Sequence, residues 1–300
     1  MAAGPESQLA PGLYLVATPI GNLGDITLRA LDVLRGVNRI ACEDTRHTQK
    51  LLNHFQIATP TVSCHEHNER QRSEELIETL RSGARIALVS DAGMPGISDP
   101  GAWLVSAAIA AGVSVFPIPG ANAALSALVA SGLPAGEFHF LGFLPEKAGA
   151  RRTLLETLAG GPRAQARTLI FYEAPHRIEE TLADLEAVWG PALRIVVARE
   201  LTKVHEEFLR GTIAEVRAAM SERERIRGEI TLLIEAPAGA ERTANDPIAA
   251  EAETLSVRVA RLQSESGLDE REALKRLARD LGRSKSELYR ELQRERARRR

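Results

Sequence analysis

The sequence predicts an α/β protein made of two αβα domains followed by a small helical module. Short apolar runs alternate with helix-like stretches through the first half, which implies a mainly parallel sheet with helices on both faces. Short strands dominate the second half, as in a mixed sheet with hairpins. A polar, Pro- and Gly-containing linker then leads into charged, leucine-periodic helices. The expected organisation is a flexible tail over 1–11, an N-terminal α/β domain over 12–118 and a C-terminal α/β domain over 119–236. A linker over 237–247 and a basic helical module over 248–300 complete it. With 300 residues and 44% hydrophobic composition, the chain has enough apolar surface for cores of this size.

In chain order, GLYLVAT opens as a strand and is followed by a helix from about Ile26 to Leu34, with Leu28, Leu31 and Leu34 at helical spacing. NRIACED reads as a second strand. A helix over Thr48 to Phe55, a strand over Thr61 to Cys64, a charged helix from Glu69 to Arg81 and the strand ARIALVSD follow. Val113 to Ile118 closes the first domain. Between Pro100 and Gly136 there is no charged side chain, but Pro117, Pro119, Gly120, Gly132 and Pro134 break the stretch into buried helix, strand, loop and helix rather than a membrane span. Strands follow at EFHFLGFL, RTLIFYEA, LRIVVARE, EEFLRGT and EITLLIEA, with helices over Ala150 to Ala159, Ile178 to Trp189 and Ile213 to Met220. Beyond the linker, Leu274, Leu277, Leu281 and Leu288 have helical spacing. Gly282 and Ser284 supply a helix stop and a new N-cap, which suits a helix-turn-helix-like module or a plain helical hairpin.

Three loops carry the functional signal: TPIGNLGDI from Thr18, VSDAGMPGISDPG from Val89, and PIPGANA from Pro117. Each leaves an apolar run and opens onto a helix, and each is rich in residues that let backbone approach a ligand closely. None ends in the Gly-Lys-Ser/Thr of a P-loop or contains G-x-G-x-x-G, so backbone amides and carbonyls are expected to read the ligand without a lysine clamp. Cys42 and Cys64 lack paired spacing, which fits a reducing cytoplasm. MAAGPESQLAP has no basic region followed by an apolar core, so no signal peptide is expected. The net charge of −2 conceals an asymmetry: from Glu251 onward 14 Lys and Arg face 10 Asp and Glu, leaving 24 against 30 in residues 1–250. The basic end is either an arm for RNA phosphates or a solvated helix terminus.

Nine blocks occur in order: LYLVATPIGNLGDIT, CEDTR, HEHNE, VSDAGMPGISDPG, PIPGANA, GFLP, YEAPHRI, ARELTK and GEITLLIE. On these the chain, from Gly12 to about Ala236, resembles the bacterial 16S ribosomal RNA cytidine 2′-O-methyltransferases, which have the tetrapyrrole methylase (class III methyltransferase) fold. The resemblance implies S-adenosylmethionine as cofactor, held in a cleft between two αβα domains, and a cytoplasmic homodimer acting on 16S rRNA of the small ribosomal subunit. It places cofactor contacts at Pro19, at Asp91, Gly93, Met94, Ile97 and Ser98, and at Ala121, Asn122 and Ala123. The second domain adds Tyr172, Leu201, Glu229 and Ile230. A corrin or porphyrin precursor as substrate, and a non-catalytic ribosome-assembly factor, are the alternatives.

Methylating a ribose hydroxyl requires alignment and benefits from a base. Glu43 and Lys203 are the base candidates, Lys203 only if burial lowers its pKa. Arg46 joins them as a catalytic candidate. Asp44, beside Glu43 at the end of the second strand, is either a substrate-positioning group or a helix cap and ion-pair partner. Asn22, His65, His67 and Asn68 are expected to contact RNA. His65 and His67 point to the same side of an extended segment, but no third ligand of suitable spacing accompanies them, so no metal site is expected. In YEAPHRI, Glu173, His176 and Arg177 bind substrate or set the start of a helix at Pro175.

Overall fold

The computed structural model describes residues 9–65, 68–160 and 167–236, together with 259, 262, 263, 269–280, 288–290 and 292. The contacts divide the chain into two compact units, Met1–Ala238 and Gly239–Arg300. In the first unit, β1 (Gly12–Val16), β2 (Arg39–Cys42), β3 (Thr61–Ser63), β4 (Arg85–Val89) and β5 (Val115–Ile118) form an all-parallel sheet of order β3-β2-β4-β1-β5. Successive residues alternate between its faces: Tyr14, Ile40 and Ala87 pack under α1 (Leu28–Gly36) and α2 (Thr45–His54), while Leu13, Ala41 and Ile86 pack under α3 (Glu69–Arg81) and α4 (Ala102–Ala110). Because β4, β1 and β5 are adjacent and parallel, the loops leaving them emerge together at one edge of the sheet.

Two helix starts beside the parallel sheet differ from expectation, and both differences come from caps. Helix α1 begins at Leu28 because the Thr27 hydroxyl accepts from Ala30 N at 3.1 Å, and Leu23–Asp25 forms a separate 3₁₀ turn capped by Asn22. Helix α2 begins three residues earlier than expected, at Thr45, because the Asp44 carboxylate accepts from Arg46 N at 2.8 Å.

After α5 (Ala123–Ser131) a mixed sheet forms from β6 (Phe138–Phe143), β7 (Arg167–Glu173), β8 (Arg194–Arg199), β9 (Glu207–Thr212) and β10 (Ile230–Ala236), in the order β6-β7-β10-β8-β9. Only the β6–β7 pair is parallel. Alternation again splits the strands. Phe171, Val197 and Leu232 face α6 (Ala148–Gly160), α7 (Ile178–Trp189) and α8 (Ile213–Ser221), while Ile170, Val196 and Leu233 face α5. Ile20, from the loop after β1, is buried in this second cluster, so the first sheet's loop is seated on the second sheet.

In the second unit α9 (Glu270–Asp280) contributes Ala273, Leu274, Leu277 and Ala278 to a small core with Val259, Leu288 and Leu292. Leu281, Gly282, Ser284, the linker and the final basic run lie outside the described residues. No helix among the described residues is long and apolar enough to cross a membrane.

Candidate active site

The loops after β1, β4 and β5 converge on a cavity of ≈ 370 Å³ whose other wall comes from the second sheet. Its size and its mostly apolar lining suit a small organic ligand. Thr18 and Gly93 exchange backbone hydrogen bonds at 2.9 and 3.1 Å, and the Thr18 hydroxyl donates to Ser90 O at 3.1 Å, so the first two loops are stitched together. Gly93 has φ +84°, and a Cβ there would lie 3.4 Å from both Ala121 O and Ile20 Cγ2, atoms of the other two loops. A Cβ would sit there in ordinary contact with both, so it is the left-handed backbone that makes the meeting point of the three loops a glycine position. The third loop ends where the Asn122 carboxamide oxygen caps α5 by accepting from Leu125 N at 2.9 Å.

From the second sheet, Tyr172 stands at the end of β7, edge-on to Phe140 and Phe143, and Leu201 sits between two left-handed residues, Glu200 (φ 53°) and Thr202 (φ 65°). Such strained backbone is held by its surroundings. Here Glu200 N donates to Glu229 O at 2.9 Å, Glu229 N donates to Glu200 Oε1 at 3.0 Å, and Lys203 Nζ donates to Glu200 at 2.7 Å and Glu229 at 3.1 Å. Lys203 also lies under the first loop, where a Cβ on Gly21 would come within 2.5 Å of its Cγ.

The electrostatics separate the carboxylates. Burial pulls the Lys203 ammonium down, but the hydrogen bonds and charges of Glu200 and Glu229 outweigh it and leave the pKa raised. Asp44 is held at about 2 by hydrogen bonds from the Arg46 side chain and backbone. Asp99, on the cavity wall, goes the other way: burial first, then the charges of Glu43 and Asp91, push it up to about 6 against the Ser90 hydrogen bond. Among the described residues no group of three or more His, Cys, Asp and Glu is placed to hold a metal ion.

The family model for tetrapyrrole (corrin/porphyrin) methylases matches residues 12–217. A curated relative named ribosomal RNA small subunit methyltransferase I, from Halalkalibacterium halodurans, is 48% identical over 278 residues, 92% of this chain and 93% of the relative. The Bacillus subtilis relative of the same name is 46% identical over 92% of each chain. The chain belongs to this methyltransferase family. Among solved structures, uroporphyrin-III-C-methyltransferase from Thermus thermophilus has a TM-score of 0.53 at 20% identity, covering 75% of this chain and 94% of its own. Diphthine synthase has a TM-score of 0.53 at 16% identity, covering 75% and 89%. These two likenesses concern the fold.

Of the residues that the family resemblance singled out for the cofactor, Gly93, Met94, Ile97, Ser98, Asn122 and Ala123 line one wall of the cavity. Tyr172, Leu201, Glu229 and Ile230 line the other. Pro19, Asp91 and Ala121 are one residue away from lining residues, and Asp91 Oδ1 accepts from Asp44 N at 3.4 Å, tying the end of β2 to the second loop.

The polar candidates scatter. Lys203 does not meet its condition for a base, because two carboxylates keep its ammonium charged and leave no lone pair for a proton. Glu43 lies outside the cavity lining. Arg46 is exposed and paired with Asp44 at 3.0 Å, and Asn22 caps the 3₁₀ turn. Asn68 accepts from His65 N at 2.9 Å, which closes the turn before α3, and His67 lies outside the described residues. Glu173 lines the cavity but is only 2% exposed. Its Oε1 accepts from Ala174 N and from the Arg177 guanidinium, and its Oε2 from the Thr181 hydroxyl, so the pair braces the start of α7 rather than reaching for substrate. His176 is exposed nearby. Sequence reasoning missed Asp99, Phe143 and Thr231 on the wall. Asp99 was in view inside the second loop, where Ser-Asp-Pro reads as turn chemistry.

Proposed function

We propose that this protein transfers the methyl group of S-adenosylmethionine to the ribose 2′-hydroxyl of a cytidine in 16S rRNA, acting in the cytoplasm as a homodimer on the small ribosomal subunit. The observation that carries this reading is the three-loop cavity of a chain from the ribosomal RNA small subunit methyltransferase I family. The cavity fits the cofactor chemically: Ile20, Met94, Ile97 and Leu201 offer apolar contact for an adenine, and the loop backbone at Ala92, Ser98 and Ala123 offers amides and carbonyls for its polar groups. When bound, the cofactor supplies a methyl group on a positively charged sulfur. The protein's part is then to hold that methyl in line with the attacking oxygen, exclude water and take up a proton. Tyr172 and Phe143 cover the cavity from the second sheet, while Lys203 holds the Glu200–Glu229 turn against the first loop. We assign the α/β domain boundary to the β5–α5 loop and leave the basic helical module as the RNA anchor.

The test is transfer of labelled methyl from S-adenosylmethionine to small subunits isolated from cells lacking this gene, followed by mapping of the modified nucleotide. Label on one cytidine ribose is the expected outcome. Label on a base, or on a tetrapyrrole precursor in place of RNA, refutes the reading.

A further inference from the structure

We propose that Glu69 is the positioning residue for the loop after β4 and through that loop sets the affinity for S-adenosylmethionine, an assignment that rests on the reading above that the three-loop cavity holds the cofactor. Glu69 is the last residue of the HEHNE block and the first of α3, and it lies outside the cavity lining. Its Oε1 accepts from Gly101 N at 2.9 Å and from Trp103 N at 3.1 Å, the amides that open α4. Beside it, the Arg70 guanidinium lies 5.1 Å over the Trp103 ring. Two consecutive residues of α3 thus grip the first turn of α4.

The grip is needed because α4 cannot cap itself. A helix start ordinarily takes a Ser, Thr, Asp or Asn whose side chain accepts from the first amides. At Gly101, the N-cap, φ is +130° and an added Cβ would lie 2.7 Å from Cδ2 of Leu88, which is buried with Leu104 of α4 in the core. Close packing of the chain on β4 therefore excludes a capping side chain at this position. The Glu69 carboxylate supplies the cap instead, from 32 residues away in sequence, and its charge also meets the positive end of the α4 dipole.

What this cap holds is the cavity wall. Ala92, Gly93, Met94, Ile97, Ser98 and Asp99 line the cavity, and all lie between β4 and α4. The front of the loop is secured by the Thr18–Gly93 backbone pair and by Ser90 Oγ, which donates to Gly93 O at 3.1 Å. Beyond it the chain turns through left-handed Gly96 (φ 81°) and Ser98 (φ 59°), and a strained residue such as Ser98 persists only when its surroundings hold it. Glu69 fixes the rear end of that stretch. Without it the rear half of the loop samples other conformations, and apparent cofactor affinity falls with the fraction of molecules whose wall is in place.

The experiment measures S-adenosylmethionine affinity by calorimetry and stability by urea unfolding for full-length wild type, Glu69→Ala, Glu69→Asp, Glu69→Gln and Glu215→Ala. The last removes a comparable cap, that of α8, where the Glu215 carboxylate accepts from Thr212 N at 2.8 Å on the face of the second sheet opposite α5. Expected is a Kd raised by about tenfold in Glu69→Ala. Glu69→Asp, one methylene short of both amides, should be weakened as well and serves in place of the alanine variant if that protein does not fold. Glu69→Gln, whose carboxamide oxygen can accept from the same two amides, should stay within about threefold of wild type. Glu215→Ala should lose stability as Glu69→Ala does and yet bind cofactor as wild type does. In methyl transfer to small subunits at saturating cofactor, Glu69→Ala should come within about threefold of the wild-type rate, which places its defect in the KM for cofactor and not in kcat. Wild-type affinity in both Glu69→Ala and Glu69→Asp, no recovery in Glu69→Gln, or an equal loss in Glu215→Ala overturns the assignment and leaves the proposed function standing. A wild type that binds no S-adenosylmethionine refutes the cofactor reading of the cavity, and the assignment falls with it.

Discussion

The two sheets meet at one cavity but build their walls by opposite means. The parallel sheet offers short loops made of Gly, Ala, Ser and Ile, held by backbone hydrogen bonds such as the Thr18–Gly93 pair, and Asp99 is the ionisable side chain it puts on the wall. The mixed sheet is braced by charged side chains. Arg151 and Arg152 share Asp184 at 2.7 and 2.6 Å, Arg177 holds Glu173, and Arg199 and Arg223 both hold Glu207. The difference separates two tasks. Backbone can lie against a ligand without adding charge or bulk, and ion pairs fix the angle of a wall that would otherwise rest on apolar packing alone.

Breaking the braced side should produce the largest change. Arg151 is 1% exposed, so Asp184→Ala strips a buried guanidinium of its nearest carboxylate. We expect a stability loss of about 3 kcal/mol or more, read by urea unfolding, with little change in cofactor affinity in the fraction that remains folded. On the loop side, Gly93→Ala forces a Cβ onto a residue at φ +84° between two loops. It should cost about 1–2 kcal/mol in stability and, as the backbone turns to relieve the left-handed strain where the loops meet, weaken S-adenosylmethionine binding by about tenfold or more in calorimetry. Cofactor loss without wall collapse in the second variant, and the reverse in the first, would sharpen the division. Equal effects of both on cofactor binding would dissolve it. The smallest effect concerns the rim. Asp44→Ala removes the cap of α2 and should lower stability by about 1 kcal/mol, while the KM for small subunits stays unchanged. A raised KM would return Asp44 to the substrate contacts.

The fold was legible because its signals are local. Alternating apolar runs specify strands, and Gly- and Pro-rich punctuation marks where they end. Even the two displaced helix starts beside the parallel sheet were written in Thr27 and Asp44 as capping residues. The three loops that form the cavity were legible for the same reason, since their composition alone announces close backbone approach. The polar chemistry was not. Glu173 and Arg177 stand in a conspicuous motif yet serve each other, because burial at 2% exposure obliges a carboxylate to find donors. Lys203 looked like a base until two carboxylates from Glu200 and Glu229 closed on it. Asp99 looked like part of a turn until Glu43 and Asp91 gathered around it. Each of these properties belongs to a neighbourhood assembled from distant segments, and spacing along the chain does not reveal it.

The strand order of the mixed sheet also sets the timetable of assembly. β10, the last strand of the first unit to be synthesised, occupies the middle of its sheet, paired to β7 on one side and β8 on the other. The parallel sheet has all its strands once Ile118 has emerged, whereas β7 and β8 have no partner between them until Ala236 is made. A chain emerging N-terminus first can therefore finish the loop-bearing sheet early and must close the second sheet last. Glu229, Ile230 and Thr231 arrive with that closing strand. A nascent chain thus carries half a cavity until that strand takes its place between its waiting neighbours.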